Sequence, residues 1–218
     1  MAKQGISVVI NTYNAEKFLP EVLESVKGFD EIVICDMEST DKTVEISESY
    51  GCKVVTFPKA NHHSAEPART FAIQSASCDW VLVIDADELV TKELKDYLYQ
   101  RIQQPDCPAG IWIPRKNYFM GKFMHCHYPD YLLRFFRREG TVWPPYVHTF
   151  PIVEGKQERI DKRRMELAFI HLANDGVKDI IRKTNEYTEN ELEKKKDKHY
   201  GAIAFLYRPL FRFVKAYL

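Results

Sequence analysis

Three acids fall within four positions at the end of the apolar run in "DWVLVIDADEL", Asp79 to Leu89. In an extended chain side chains alternate between faces, so Asp85 and Asp87 would point the same way. Two carboxylates so placed suit one hard divalent cation, Mg2+ or Mn2+, whose shell a phosphate completes. They could also divide the work, one accepting a hydroxyl and the other holding metal. A plainer alternative has Asp87 and Glu88 opening a loop and placing negative charge at the N-terminus of the next helix. The D-x-D spacing by itself leaves these alternatives open.

The elements that must position these acids can be read from hydropathy. "ISVVI" (6–10), "EIVIC" (31–35), "KVVTF" (53–57) and "WVLVID" (80–85) are continuous apolar strands. Between and after them, "AEKFLPEVLESVK", "STDKTVEISESYG", "SAEPARTFAIQSA" and "TKELKDYLYQRI" carry helical periodicity. Ser and Thr caps, Ser64, an early Pro and Gly51 punctuate them. Strands that are apolar throughout, alternating with helices, predict a mostly parallel sheet covered on both faces. Ligands of such sheets bind beyond the carboxyl ends of the strands. Asn11, Asp36 and Asp85 all stand at those ends.

From residue 111 to about 174 the texture changes to short aromatic segments, "GIWIPRKNYF", "YLLRFFRR" and "LAFIH". This predicts an antiparallel extension of the same sheet with long loops. The expected organisation is therefore a parallel α/β half over 1–110, a β/loop half of the same domain over 111–174, and C-terminal helices over 175–218, the last one amphipathic and basic. A helix is expected from about Val177, with "ENELEKKKDK" as its solvated face.

Bulk properties exclude several classes. Lys+Arg and Asp+Glu are equal at 31 each, so no overall field favours nucleic acid. The five cysteines are widely spaced without a CxxC pair, which fits a reduced, cytoplasmic chain with thiols as core filler. No apolar run of spanning length occurs, and the N-terminus lacks a signal-peptide core.

The ordered set "SVVINTYN", "VICDMESTDKT", "ARTFAI", "DWVLVIDADE", "YPDYLLRFFRR", a late "VH" and "IHLANDGVKDIIRKTNEY" resembles the family-two glycosyltransferases of the GT-A fold. Within them it is most similar to the branch that includes the lipopolysaccharide-core β-glucosyltransferases. The resemblance spans nearly the whole chain. It implies a Rossmann-like, mostly parallel sheet flanked by helices. It also implies transfer of a hexose, with inversion, from a nucleotide-diphosphate sugar of the UDP class. The acceptor would be a hydroxyl of a bacterial surface glycan or lipid-linked molecule.

Carried over by position, Asn11 and Tyr13 would line the nucleobase pocket, Asp36 would accept from the base, and Arg69 would help hold the nucleotide. Asp85 would contact the ribose or a metal-bound water, and Asp87 would be the direct ligand of Mn2+ or Mg2+. The bland counterparts are a turn residue for Asn11, a surface cation for Arg69 and a cap of "STDKT" for Asp36. Two departures from the pattern stand out. Met37 and Glu38 occupy positions before "STD" where relatives carry acids or a small residue, so the base contact falls on Asp36 alone or Glu38 substitutes. Thr149 stands after the late His where a Glu is usual.

An inverting transfer needs a carboxylate to take the acceptor's proton. Asp130, flanked by Tyr128, Pro129 and Tyr131, is the candidate; the alternative is a loop Asp paired with Arg134 on the same strand face. His148 is a candidate metal or phosphate ligand, equally a structural histidine, and His171 matches a histidine of the branch. His62 and His63 read as loop residues before the Arg69 helix, and "HCH" (125–127) lacks the second cluster a zinc site needs.

In "AIAFLYRPLFRFVKAYL" the cations Arg208, Arg212 and Lys215 recur at i, i+4 and i+7 among apolar residues. Residues 202–218 thus suit an interfacial helix on the anionic inner face of the cell membrane, or a terminal helix packed on the domain. Three rival functions compete. A D-x-D phosphatase would place the motif after the first strand. A nucleotidyltransferase would need a glycine-rich loop after it. A catalytically weak binding scaffold remains an alternative because of Thr149.

Overall fold

A computed structural model of the chain describes residues 3–62, 64–146, 149–172 and 201–217, with residues 176, 177, 181, 184, 185 and 188 besides. Four strands, β1 (Lys3–Thr12), β2 (Glu31–Asp36), β3 (Lys53–Thr56) and β4 (Cys78–Asp85), pair in parallel in the order β3-β2-β1-β4. Helices α1 (Leu19–Ser25), α2 (Thr43–Ser49) and α3 (Glu66–Gln74) connect them, and α4 (Lys92–Ile102) follows β4.

The continuous apolar strands are explained by burial on two sides. Ile6, Val8, Ile10, Ile34, Leu82 and Ile84 pack with Leu19, Val22 and Leu23 of α1 and Leu94 and Leu98 of α4. Val9, Val33, Val81 and Val83 pack with Ala68, Ala72 and Ile73 of α3. Each such side chain contributes about 1.5–3 kcal/mol on leaving water. Alternate residues of one strand therefore serve two cores, and the same alternation sorts the polar residues at the strand ends.

The sheet continues through β5 (Glu88–Leu89), β6 (Gly110–Phe119), β8 (Asp130–Arg137) and β10 (Phe169–His171) in the order β4-β8-β6-β10-β5, with β7 (Lys122–Phe123) and β9 (Gln157–Arg159) pairing β6. The expected α/β fold is observed, and the extension is mixed. β8 runs antiparallel to β4 and β6, whereas β9 and β10 run parallel to β6. The carboxyl ends of β6 and β10 consequently lie at the same sheet edge as those of β1, β2 and β4, beside the start of β8.

One irregularity matters. The β6–β8 register passes from Ile111↔Phe135 to Trp112↔Leu133, leaving Arg134 without a partner on β6. Such a bulge shifts the alternation by one residue and re-aims side chains. Arg134 thereby faces away from Asp130, and the pair expected from simple two-residue periodicity does not form.

The helix starts differ from their sequence signatures. α4 is capped by Thr91, whose Oγ1 accepts from Leu94 N–H at 3.1 Å. α3 begins after Ala65 and α2 after Lys42, neither with a side-chain cap. The "STD" residues instead brace the loop after β1: Ser39 Oγ accepts from Asn14 N–H at 2.9 Å, and Asn14 Oδ1 accepts from Thr40 N–H at 2.8 Å. Gly51, at φ +72°, ends α2 in the left-handed region that favours glycine.

The five cysteines are free, with Cys35 and Cys78 buried and Cys126 exposed. Burial pushes the Cys35 thiol up to about 12. The helix expected from Val177 and its charged run lie mostly outside the described residues. A final helix, α5 (Ala202–Tyr217), is recovered, and among the described residues no helix is long and apolar enough to cross a membrane.

Candidate active site

The sheet's carboxyl edge gathers two polar clusters, one on each face. On the α3 face, Arg69 Nη2 donates to Asp85 Oδ1 at 2.7 Å, and Arg134 Nη2 donates to Asp85 Oδ2 at 2.8 Å. Both guanidiniums lie over the Trp143 ring, their Cζ atoms 4.6 and 5.4 Å from its centroid. Thr70 clamps Trp143 through hydrogen bonds to its backbone N–H and carbonyl. Burial works against the Asp85 charge, but the Arg134 and Arg69 guanidiniums override it and hold the carboxyl well below the usual carboxylate range. Arg69 is thus committed to Asp85 through one nitrogen, while its buried Nε and Nη1 have no hydrogen-bond partner. Asn11, paired in register with Asp85, is buried with both side-chain polar atoms unpartnered.

On the opposite face a chain of contacts joins five strands. Asp85 N–H donates to Glu88 Oε2 at 2.9 Å, and Arg115 Nη1 donates to Glu88 Oε1 at 2.8 Å. Arg115 turns its Nε and Nη2 to Asp130 Oδ2, at 3.0 and 2.6 Å. Asn117 Nδ2 donates to the same oxygen at 3.1 Å. Asn117 Oδ1 lies 2.8 Å from His171 Nδ1, and His171 Nε2 lies 3.6 Å from Asp87 Oδ2. Burial depresses the Arg115 charge, but Glu88 and Asp130 outweigh it and raise its pKa further.

The D-x-D segment is therefore not an extended pair. Ala86 and Asp87 form a turn between β4 and β5, with Asp85 turned to Arg69 and Arg134 and Asp87 Oδ2 facing His171 Nε2. Among the described residues no group of three or more His, Cys, Asp or Glu forms a metal cluster. His125, Cys126 and His127 form a short 3-10 turn of β7's loop, with Cys126 Sγ 3.1 Å from His127 Nδ1. His63 and His148 lie outside the described residues.

Asp36 is buried, its Oδ1 accepting from Thr12 Oγ1 at 2.9 Å and Ser39 Oγ at 2.6 Å, its Oδ2 from Ser39 N–H at 2.8 Å. It anchors the "STD" turn. Tyr13 is half exposed with Lys59 Nζ 4.6 Å from its ring centroid, and Glu38 Oε2 accepts from Lys59 N–H at 3.0 Å. Thr149 Oγ1 donates to the Tyr146 carbonyl at 2.6 Å and closes a local turn.

Arg115, Asn117 and Trp143 were not singled out by the sequence, and Glu88 was read only as a loop-opening acid. A signal existed for two of them: Arg115 and Asn117 extend the two-residue alternation of Ile111 and Ile113, so polar groups replace the core face at a strand's carboxyl end.

Residues 7–155, more than half of the chain, match the Glycosyl transferase family 2 model. The chain is 44% identical over 92 residues to an uncharacterized glycosyltransferase of Rickettsia bellii, covering 42% of this chain and 30% of that protein. It is 36% identical over 100 residues to the poly(ribitol-phosphate) beta-N-acetylglucosaminyltransferase TarS of Staphylococcus aureus, covering 41% of this chain and 18% of that protein. The matches thus span less than a third of those relatives' lengths. The crystal structure of S. aureus TarS 1–349 in complex with UDP shares the fold, with TM-score 0.50 and 22% identity over 62% of this chain and 47% of that one. The phosphatase and nucleotidyltransferase alternatives are set aside by that family match. The chain belongs to glycosyl transferase family 2.

Proposed function

We propose that the chain transfers a hexose, with inversion, from a UDP-class nucleotide sugar to a hydroxyl of a bacterial surface glycan, of lipopolysaccharide-core or other lipid-linked type. The observation that carries this reading is the meeting of Asp87 and His171 at the sheet edge. Their polar atoms stand 3.6 Å apart, too far for a hydrogen bond and suited to sharing a cation. The naming of UDP in the complex of a family relative supports the donor class.

The residues present fit a divalent ion at that place. Asp87 and His171 would hold Mn2+ or Mg2+, which when bound neutralises charge growing on the diphosphate leaving group. His148 is not needed for this assignment. Asn11 and Tyr13 border the nucleobase, with Asp36 and Glu38 shaping the loops that hold it. Asp85 keeps Arg69 and Arg134 in place, and the unpartnered Arg69 Nε and Nη1 serve the anionic donor.

Asp130 acts as the base. Arg115 and Asn117 fix its Oδ2, leaving Oδ1 to take the acceptor's hydroxyl proton. The acceptor oxygen bonds to the anomeric carbon as the bond from that carbon to the diphosphate oxygen breaks, its electron pair leaving with the nucleoside diphosphate. Residues 1–110 supply the donor side and 111–174 the acceptor side.

Calorimetric titration of the full chain with UDP tests the donor site. Mn2+ is expected to tighten binding, and Asp87→Asn to abolish that tightening. Binding that ignores both metal and Asp87 would refute the assignment.

The same reading places the protein at the cytoplasmic face of an anionic membrane. Ile203, Leu206, Tyr207, Leu210 and Val214 of α5 are exposed, and no acid stands between Ala202 and Tyr217. A helix with an open apolar side and cations at 208, 212 and 215 matches an acidic lipid surface. Vesicles containing phosphatidylglycerol should co-sediment the wild type, and Arg208→Glu with Arg212→Glu should release it. Equal sedimentation of both proteins would sink the membrane reading.

A further inference from the structure

We propose that Asn117 is a positioning residue that sets the tautomer of His171 and thereby aims a lone pair at Asp87; this rests on the transferase reading above. The direction of every hydrogen bond in the chain is fixed by its first member. A guanidinium can only donate, so Asp130 Oδ2 is an acceptor at both Arg115 contacts. The Asn117 atom 3.1 Å from that oxygen must then be its amide NH2. The carbonyl Oδ1 is left facing His171 Nδ1 at 2.8 Å, and a carbonyl can only accept. His171 Nδ1 therefore carries the hydrogen, which leaves Nε2 as the ring nitrogen able to present a lone pair toward Asp87 Oδ2. Two electron-rich atoms facing each other without a proton between them form an arrangement that a cation relieves.

Backbone pairing makes the relay stiff. Asn117 and His171 are register partners on the parallel strands β6 and β10, and Arg115 is the partner of Asp130 on the antiparallel β8. His171 is also paired with Glu88 on β5, next to Asp87 in the chain. The groups proposed for the acceptor proton and for the metal are thus coupled through one amide, on adjacent strands of the same sheet.

The test is Mn2+ affinity of the full chain in the presence of UDP, read by electron paramagnetic resonance of free Mn2+. Asn117→Ala should weaken Mn2+ binding by about 10–100-fold, the range for losing an outer-shell partner of a ligating histidine. Its metal-free UDP affinity should not change. Asn117→Asp keeps an acceptor for His171 Nδ1–H and should restore Mn2+ affinity to within about threefold of wild type, because carboxylates orient ligating histidines in the same way. A merely structural Asn117 would not be rescued by Asp, since that variant sets a carboxylate against Asp130. Wild-type affinity in the Ala variant, or equal loss in both, overturns the inference alone. If wild-type Mn2+ affinity is indifferent to Asp87→Asn, the transferase reading fails and the inference with it.

Discussion

Two arginine–carboxylate clusters share one sheet edge and differ in stoichiometry. On the α3 face two arginines, Arg69 and Arg134, close on the single carboxylate Asp85. On the other face one arginine, Arg115, is divided between Glu88 and Asp130. The first cluster has an excess positive charge and no carboxylate oxygen to spare. The second has an excess negative charge, increased by Asp87, and ends in groups that point outward. The same ion-pair chemistry thus leaves net positive charge on one side and net negative charge on the other, the side to which the proposed cation and acceptor proton are assigned. Which side a carboxylate serves depends on how many guanidiniums claim it.

Breaking this contrast starts with the open cluster. Asp130→Asn removes the proposed proton acceptor and should lower kcat for transfer by about 10²–10⁴-fold, the usual contribution of a general base. UDP affinity should stay within error. Unaltered turnover would return Asp130 to a structural role and make the clusters alike.

Next, Asp85→Ala should cost about 3 kcal/mol of stability, since it leaves two buried guanidiniums uncompensated. In a chain of this size that is a fall in melting temperature of roughly 6–12 °C, read by circular dichroism. Asp87→Asn, by contrast, should shift stability by less than about 1 kcal/mol, as for a partly exposed group whose contact with His171 is 3.6 Å long.

A smaller effect sharpens the point through pH. The folded-state pKa of Asp85 is lowered, so its stabilisation is present in full above the unfolded carboxyl value of about 3.9 and is lost progressively as pH falls below it. Urea midpoints measured from pH 5 to pH 2.5 should therefore fall more steeply for the wild type than for Asp85→Ala. Parallel profiles would mean that the two arginines do not favour the ionised form.

Much of the fold was legible in the residues. Runs such as "SVVI" and "VLVI" fixed the parallel half, because strands buried on both faces leave no room for polar alternation. The placement of Asn11, Asp36 and Asp85 at strand ends followed from the same runs. The geometry of "DAD" was not legible, because a two-residue turn and an extended segment are equally compatible with those three residues. Nor was the partner of Asp130: counting by twos pointed to Arg134, and the bulge at Arg134 reversed the face. The caps expected in "STDKT" failed for a related reason, as the "STD" side chains found better partners in the loop after β1.

The sequence alone determined the layering of the sheet, the identity of the acids at its mouth and the family-like order of the motifs. These follow from local periodicity and from which residues tolerate burial. Tertiary structure decided which carboxylates are neutralised and which remain available. That outcome depends on strand register between segments about 15 to 85 positions apart, where a shift of one residue exchanges one face for the other.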